Sequence, residues 1–312
     1  LSDINMPEMD GLTLLAKINE LKNPAMKCIM VSAYGDMENI RSAMNKGAFD
    51  FATKPIDLED LSHTIEKAIE QVRYIRESQQ EHSQLESIRN DLAIAGEIQQ
   101  TILPRLFPPF PELAKYVDIY ASMTPARDVG GDFYDFFRID DENIGLVIAD
   151  VSGKGVPAAL FMAVSRTLLR ATALRGVPSS ECLTYANKLL CKESLDSMFV
   201  TVFYGIYNYK TGIMDYTNAG HNPPYILRQN HHIETLPLTP NFIVGVFDDI
   251  SFENGMLKLE TGDTLLMYTD GVTEAFNEER EQFSENRLQN ALKTLPENPQ
   301  TKDVVTEILR QV

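Results

Sequence analysis

Residues 148–155 read Ile-Ala-Asp-Val-Ser-Gly-Lys-Gly, an apolar strand that ends in an aspartate and runs into a glycine-rich loop. Two further blocks share this pattern: Gly-Gly-Asp-Phe-Tyr-Asp at 130–135 and Met-Tyr-Thr-Asp-Gly-Val at 267–272. In each block an aspartate adjoins a hydrophobic strand and has glycine close by. Glycine allows backbone carbonyls and waters to approach a bound ion closely. The pattern predicts that carboxylates far apart along the chain meet at strand ends.

The candidate ligand residues in these blocks are Asp132, Asp150 and Asp270. Converging carboxylates with few other titratable groups suit hard cations such as Mg²⁺ or Mn²⁺. Zinc is disfavoured because the sequence places no cluster of His or Cys beside them. Two nearby residues are each open to two interpretations. His221 either binds phosphate or donates a proton, or else structures its loop, and Lys154 either contacts phosphate or is a solvated loop lysine.

The region around these blocks, residues 104–312, predicts an α+β domain. A run of prolines from Pro104 to Pro111 ends the preceding helix. Short apolar runs predict strands at 117–123, 144–149, 199–207, 214–218 and 264–268. Helices are predicted at 157–174, 180–193 and 301–312. The expected architecture is antiparallel sheets with helices packed on them.

Together these blocks resemble the SpoIIE/RsbU branch of the metal-dependent protein phosphatases (type 2C, PPM). The resemblance runs from about Ile98 through Leu288 and includes Ile-Gln-Gln-Thr-Ile-Leu-Pro at 98–104 and Asn-Ala-Gly-His-Asn-Pro-Pro at 218–224. It implies an antiparallel β-sandwich flanked by helices, two bound Mn²⁺ or Mg²⁺ ions, and hydrolysis of protein phosphoserine or phosphothreonine. It further implies that the substrate is a phosphorylated anti-sigma factor antagonist with a STAS domain.

The resemblance also gives the three aspartates their expected catalytic roles. Asp150 would bridge two metal ions, Asp132 and the Val151 backbone carbonyl would complete one site, and Asp270 would serve the other. Members of this group end in an Asp-Asp-(Ile/Thr)-Thr-Leu block that supplies a last metal ligand. The sequence stops before such a block, so we expect a continuation beyond Val312.

Residues 1–57 alternate between strand and helix, which predicts a parallel sheet. Asp3, Ser32 and Lys54 each end a strand of this sheet, and ligands of open α/β sheets bind at that edge. A carboxylate there can accept a phosphoryl group whose oxygens the hydroxyl and the ammonium bind. The expected strands and helices are Lys27–Ala33 and Ala48–Thr53 for strands, and Gly11–Leu21 and Asp36–Lys46 for helices.

These motifs resemble the second half of a response-regulator receiver domain, which has a flavodoxin-like α/β fold. The resemblance implies that a sensor histidine kinase phosphorylates Asp3. Ser32 and Phe51 would be the switch residues, Lys54 would bind the phosphate, and the Asn5 backbone carbonyl would be a ligand of Mg²⁺. Receivers carry an acidic pair after their first strand, so we expect roughly 50 further residues upstream that hold it.

Residues 58–103 predict one long helix, since neither Pro nor Gly interrupts them before Gly96. Apolar residues recur three and four apart, the spacing of a coiled-coil seam, so we expect a homodimer through this linker. A polar stretch at Gln79 and His82 precedes a slip of one position in the seam. The slip is either a solvated stretch of an ordinary helix or a joint that transmits a signal. The seam positions are Leu58, Leu61, Ile65, Ala68, Val72 and Ile75 before the slip, and Leu85, Ile88, Leu92, Ala95 and Ile102 after it.

The formal net charge of −17 argues against a nucleic-acid partner, whose phosphates would be repelled. It is compatible with a site for divalent cations. No run approaches about 18 consecutive apolar residues, so we expect no membrane-spanning helix. Cys28, Cys182 and Cys191 lack metal-type spacing and are expected to be reduced thiols in a cytoplasmic protein.

The combined expectation is a multidomain two-component response regulator with a phosphatase output. A receiver at 1–57 would act through the linker at 58–103 on a phosphatase domain at 104–312. Two alternatives stay open. The phosphatase fold could be catalytically weak and serve as a phosphorylation-gated binding module, or the linker dimer could be the main product and the phosphatase fold a sensor.

Overall fold

A computed structural model describes residues 1–33, 36–193, 198–229, 232–296 and 298–312. These residues form two compact units, 1–91 and 92–312. The long helix predicted from the uninterrupted stretch is present as α3, and the boundary between the units lies within it. No described helix combines the length and the apolar composition that crossing a bilayer requires.

The first unit contains the expected parallel sheet. Its three strands pair in the order β1-β2-β3, each parallel to its neighbour. Ile29, Met30 and Val31 of the central strand are all buried, and Met30 packs against the helix residues Leu15 and Ala43. The elements are β1 (Ser2–Asp3), α1 (Gly11–Glu20), β2 (Ile29–Ala33), α2 (Met37–Asn45), β3 (Asp50–Lys54) and the start of α3 (Leu58–Ile102).

Helix α3 changes character along its length. Thr64 and Ala68 are buried, so its first turns pack onto the rest of the unit. Every residue from 76 to 91 is exposed, including the seam residues Leu85 and Ile88. The beginning of α3 therefore packs against the first unit, whereas its middle is exposed to solvent.

The second unit is built on a five-stranded antiparallel sheet with the order β10-β7-β6-β5-β4. Two helices cover one of its faces, where Met162 and Leu183 pack against strand residues such as Phe133 and Val202. These helices agree with the predicted ranges to within one residue. The elements are β4 (Phe133–Arg138), β5 (Asn143–Val151), α4 (Val156–Ala173), α5 (Ser179–Glu193), β6 (Val200–Asn208), β7 (Ile213–Ala219) and β10 (Gly255–Lys258).

A smaller antiparallel sheet, with the order β11-β8-β9, packs on the other face. Side chains alternate along its strands. Ile226 therefore faces Phe203 and Met214 of the large sheet, while its neighbours Tyr225 and Leu227 pack against two C-terminal helices. The four layers confirm the predicted antiparallel β-sandwich flanked by helices. The remaining elements are β8 (Tyr225–Leu227), β9 (Ile233–Thr235), β11 (Thr264–Leu266), α6 (Asp270–Thr273), α7 (Ser284–Lys293) and α8 (Thr301–Gln311).

The strand predicted at 117–123 is wrong, since this segment joins no sheet in the described part of the chain. Its apolar side chains are nevertheless used. The Tyr120 ring packs against Phe107 in a tilted arrangement with 4.8 Å between centroids, and Met123 packs on the main core. Alternating apolar residues indicate which side chains face the protein, and here Val117, Ile119, Ala121 and Met123 are half-buried without a neighbouring strand. The three cysteines carry free thiols, as expected.

Candidate metal and phosphoacceptor sites

Strand pairing brings the first two predicted aspartates together. Strand β4 runs antiparallel to β5 with Phe133 opposite Ala149. Asp132, one residue before β4, therefore lies across from Asp150 near the end of β5. Gly131 makes this approach possible, because a Cβ there would lie only 2.9 Å from the Val151 carbonyl oxygen.

Asp270 reaches the same place from the other sheet. The Thr269 hydroxyl donates a hydrogen bond of 2.6 Å to Oδ2 of Asp132. Asp270 follows directly and begins the short helix α6. The structure thus brings Asp132, Asp150 and Asp270 to one locality, although 138 residues of sequence separate the first from the last.

Burial and mutual repulsion raise the pKa values of two carboxyl groups in this cluster. The pKa of Asp150 is raised, first by burial, then by a hydrogen bond with Asp132 and by the negative charges of Asp132 and Asp270. Burial also raises the pKa of Asp270, with Glu274 and Asp132 adding to the effect and Lys154 opposing it. Neighbouring carboxylates disfavour each other's ionisation unless a cation binds between them.

The donor set fits a hard cation that retains water ligands. Among the described residues, no three Asp, Glu, His or Cys side chains stand together as a ready-made coordination shell. The cluster is instead a close pair, Asp132 and Asp150, with Asp270 and Glu274 near enough to repel it. Mg²⁺ and similar ions are commonly held by one or two carboxylates and several waters, so this arrangement suits them.

Glu274 and Thr269 are members of the cluster that the sequence reasoning missed. Glu274 is exposed and lies four residues after Asp270, where a helix places two side chains on one face. That spacing, in Asp-Gly-Val-Thr-Glu, was a usable signal. Thr269 was not recognisable, because its partner Asp132 lies 137 residues away.

His221 lies deep in the same region and is bound to its own loop. It is 3% exposed, and its Nδ1 atom is 2.9 Å from the Thr201 hydroxyl. Its backbone N–H donates to the Asn218 side chain, whose amide donates in return to the His221 carbonyl. Burial lowers the pKa of His221 to about 4, although the nearby Tyr268 carbonyl and the Asp132 charge oppose this shift. These contacts favour the loop-structuring interpretation.

The phosphoacceptor residues of the first unit are partly assembled. Lys54 forms an ion pair with Asp3, and the Asn5 N–H donates to Asp3 Oδ1 at 3.1 Å. Both contacts hold the pKa of Asp3 below its usual range, the Lys54 hydrogen bond most strongly.

Ser32 is fully buried, and its hydroxyl donates to Asp36 rather than to Asp3. Phe51 is half-buried and packs on the core of this unit.

The sequence matches the family described as Stage II sporulation protein E (SpoIIE) over residues 140–312 and the response regulator receiver domain over residues 1–66. Protein IcfG of Synechocystis is 33% identical over 250 residues, which are 72% of this chain and 38% of IcfG. Phosphoserine phosphatase RsbU of Bacillus subtilis is 32% identical over 224 residues, which are 70% of this chain and 65% of RsbU. The aligned part therefore spans less than two thirds of either curated relative.

The fold has a solved counterpart in the SiaA-PP2C domain of Pseudomonas aeruginosa. That structure covers 73% of this chain and 90% of its own, with a TM-score of 0.59 and 19% sequence identity. The likeness concerns the fold. Because the SpoIIE match extends over more than half of the sequence, the chain belongs to the Stage II sporulation protein E (SpoIIE) family, and a response-regulator receiver segment precedes the SpoIIE region.

Proposed function

We propose that this chain hydrolyses phosphoserine or phosphothreonine in a protein substrate with the help of bound divalent cations. The observation that carries the proposal is the Asp132–Asp150 pair, two half-buried carboxylates that strand pairing places opposite each other, with Asp270 close by. Support comes from RsbU, a relative whose name is phosphoserine phosphatase. The pKa of Asp150 is raised by burial and by its acidic neighbours, effects that a bound cation would oppose.

Asp132, Asp150, the Val151 carbonyl and Asp270 are the residues that would hold two Mn²⁺ or Mg²⁺ ions. When bound, such ions would activate water for attack on phosphorus and neutralise charge on the phosphoryl oxygens. The chain itself supplies orientation. The Thr269 hydroxyl fixes one oxygen of Asp132, and Gly131 leaves room for backbone and ligands beside Val151.

The direct test replaces Asp150 by Asn and measures Mn²⁺-dependent hydrolysis of p-nitrophenyl phosphate and a phosphoserine peptide. We expect a loss of at least ~100-fold, the scale seen when a group that stabilises developing charge is removed. Asp249→Asn, a change at an exposed aspartate, is the matched control. Hydrolysis at the parental rate in Asp150→Asn would refute the assignment. A parent that binds phosphoprotein without hydrolysing it would favour the binding-module alternative.

We propose a phosphorylated anti-sigma factor antagonist of the STAS class as the protein substrate. The support is the resemblance to the SpoIIE/RsbU branch together with the relatives RsbU and RsbP, both named phosphoserine phosphatase. Release of phosphate from a phosphoserine STAS domain should be faster than from its unfolded tryptic peptides if the folded partner is recognised. Equal rates on both would remove this substrate proposal.

We propose that a sensor histidine kinase phosphorylates Asp3 and that this modification controls the phosphatase. The Asp3–Lys54 ion pair supports the assignment, because the lysine stands where it can bind phosphoryl oxygens. Mg²⁺ would be held beside Asp3, with the Asn5 carbonyl as one ligand. Transfer of a phosphoryl group from a phosphorylated histidine kinase in the presence of Mg²⁺, measured by intact-protein mass spectrometry, should be abolished in Asp3→Asn and retained in Asp10→Asn.

We propose that two copies pair through the linker. Leu85 and Ile88 are each 56% exposed in the middle of a helix whose other residues from 76 to 91 are also bare. Exposed apolar residues at coiled-coil spacing are usually covered by a second helix. Sedimentation of Leu85→Ser/Ile88→Ser should show a smaller species than the parent if the seam is the interface.

A further inference from the structure

The last turns of α3 hold a buried glutamine that contacts the metal-site loop. Gln99 is 5% exposed, whereas the adjacent Gln100 is exposed. The Gln99 side-chain amide forms two reciprocal hydrogen bonds with one residue. Its Nε2 donates to the Gly130 carbonyl at 2.6 Å, and its Oε1 accepts from the Gly130 N–H at 3.0 Å. Both polar ends of the side chain are thus committed to the backbone of Gly130.

Gly130 is two residues from Asp132, and the loop between them is constrained on its other sides. Gly131 lies against the Val151 carbonyl, with space for no side chain. Asp132 accepts the hydrogen bond from Thr269. Because these contacts restrain the backbone on both sides of Gly131, a displacement of Gly130 should also displace the Asp132 carboxylate.

A second contact of α3 supports the first. Gly96 lies one turn before Gln99 on the same face of the helix. A Cβ at Gly96 would collide with the Asp128 carbonyl oxygen, so the helix and the loop meet backbone to backbone. Leu103, just beyond the helix, is buried in the main core. The end of α3 is therefore built into the unit that carries the carboxylate cluster.

We propose that Gln99 is a positioning residue that sets the affinity of the Asp132 site for divalent cations. The inference rests on the proposed function, because it concerns regulation of the same site. A shift or rotation of α3 moves the Gln99 amide, and the paired hydrogen bonds transfer that movement to Gly130 and from there to Asp132. The last turns of α3, a helix that begins in the first unit, thus carry Gln99, which positions the proposed metal ligand Asp132.

The test is Mn²⁺ binding to the full chain, measured by isothermal titration calorimetry without substrate. Gln99→Leu removes both hydrogen bonds at similar volume. It should weaken Mn²⁺ binding by about 10-fold, the lower end of the loss seen when a hydrogen bond that orients a metal ligand is removed, because Gln99 acts on Asp132 through Gly130. Gln100→Leu makes the same chemical change one residue away and should bind as the parent does. A folded Gln99→Leu with parental affinity would overturn the inference.

A second variant reaches the same contact without touching Gln99. Gly96→Ala should strengthen the isolated helix, since Ala is the better helix former, yet its methyl group would push α3 away from Asp128. We expect weaker Mn²⁺ binding than in the parent together with retained helical circular dichroism. Parental Mn²⁺ affinity in folded Gly96→Ala would count against a transmitted displacement.

A measurement on the parent is independent of how the variants fold. Coupling is reciprocal, so Mn²⁺ should slow amide hydrogen exchange in residues 95–103 as well as in 128–132. Slowing confined to 128–132 would contradict the inference. The outcomes are also separable from those of the proposed function. Mn²⁺ binding without phosphoester hydrolysis would refute the phosphatase proposal alone, and hydrolysis with parental Mn²⁺ affinity in Gln99→Leu would refute the Gln99 role alone.

Discussion

At the scale of single residues, His221 shows how a titratable group is used for structure beside a charged site. Its Nε2 atom is buried and has no hydrogen-bond partner among the described residues. Its Nδ1 atom pairs with the Thr201 hydroxyl on β6. A buried imidazole with these contacts is neutral in the folded chain, so protonation must accompany unfolding rather than folding.

This environment predicts a pH dependence of stability. The pKa of His221 is about 4 in the folded chain and about 6.5 when unfolded. Between these values the unfolded chain binds the extra proton, so stability falls as the pH is lowered through this window. The expected loss is about 2 kcal/mol by pH 5, relative to pH 7. Urea unfolding in chelator at both pH values measures it.

His221→Asn should remove this part of the pH dependence, while His63→Asn, at an exposed position of α3, should keep it. The acidic residues titrate in all three proteins, so only the difference between them is diagnostic. Identical slopes of stability against pH in the parent and in His221→Asn would show that the imidazole is solvated or protonated in the folded chain.

The sequence predicted the aspartates of the site and less of what surrounds them. Asp132, Asp150 and Asp270 stand in short contiguous motifs whose glycines and apolar strands can be recognised in the sequence. Gln99 could not be assigned, because its partner is a backbone group 31 residues away. The orientation of Ser32 was also beyond the sequence, since a hydroxyl at a strand end has several acceptors, and Asp36 accepts its hydrogen bond here.

At the scale of elements, helix α4 is tied to strand β4 by a buried ion cluster. Asp135 is 2% exposed and lies 3.0 Å from both Arg166 and Arg170. Burial raises the pKa of Asp135 even though both arginines favour its ionised form. The ion pairs therefore offset only part of the cost of burying the carboxylate and add little net stability, but the two guanidinium groups depend on its negative charge.

Asp135→Asn should consequently destabilise the chain by about 3 kcal/mol, because two partly buried guanidinium groups lose their counter-charge. Asp141→Asn breaks an ion pair between a fully exposed carboxylate and the partly exposed Arg138, and it should cause no measurable loss. Urea unfolding at neutral pH in chelator compares the two. Equal stabilities would show that water reaches Arg166 and Arg170 readily in the folded chain.

The elements also show where sequence patterns fail. The stretch without Pro or Gly, with apolar residues three and four apart, located α3 closely, because a long helix satisfies its own backbone hydrogen bonds. The segment 117–123 alternates in the same way as a strand, yet a strand also needs a neighbour to pair with. The segment packs against Phe107 and the main core but pairs with no strand of the described chain.

The linker carries the next prediction at this scale. One alanine inserted after Gln80 rotates all later helix residues by about 100° relative to earlier ones. The insertion falls in the exposed segment 76–91, so neither core is disturbed. We expect a change in basal phosphatase activity and in its dependence on Asp3 phosphorylation. A seven-residue insertion at the same point keeps the phase of the seam and should behave more like the parent.

If the single insertion leaves both the basal rate and the response to phosphorylation unchanged, the bare middle of α3 is a passive spacer. The phase slip near Gln79 is then the solvated stretch of an ordinary helix. The Gln99 contact with Gly130 could survive that outcome, because it lies beyond the inserted residue and within the second unit.

At the scale of the whole molecule, the net charge of −17 makes the chain sensitive to cations in two ways. Any divalent ion relieves general repulsion among the 45 acidic side chains. A specific site adds stabilisation that follows its own occupancy, by about 2.7 kcal/mol when the free ion is a hundredfold above its dissociation constant. The two effects differ in their dependence on Asp150.

We therefore expect Mn²⁺ at a hundredfold excess over its dissociation constant to raise the free energy of unfolding of the parent and of Asp249→Asn by about 2.7 kcal/mol beyond the general charge effect. Chelator should reverse this increase. Asp150→Asn should keep only the general part, although without metal it should be at least as stable as the parent, since it relieves repulsion from Asp132 and Asp270. Thermal and urea unfolding at equal ionic strength separate the two contributions. If Mn²⁺ stabilises Asp150→Asn as much as it stabilises the parent, the ion binds elsewhere on the acidic surface, and the carboxylate cluster is not its site.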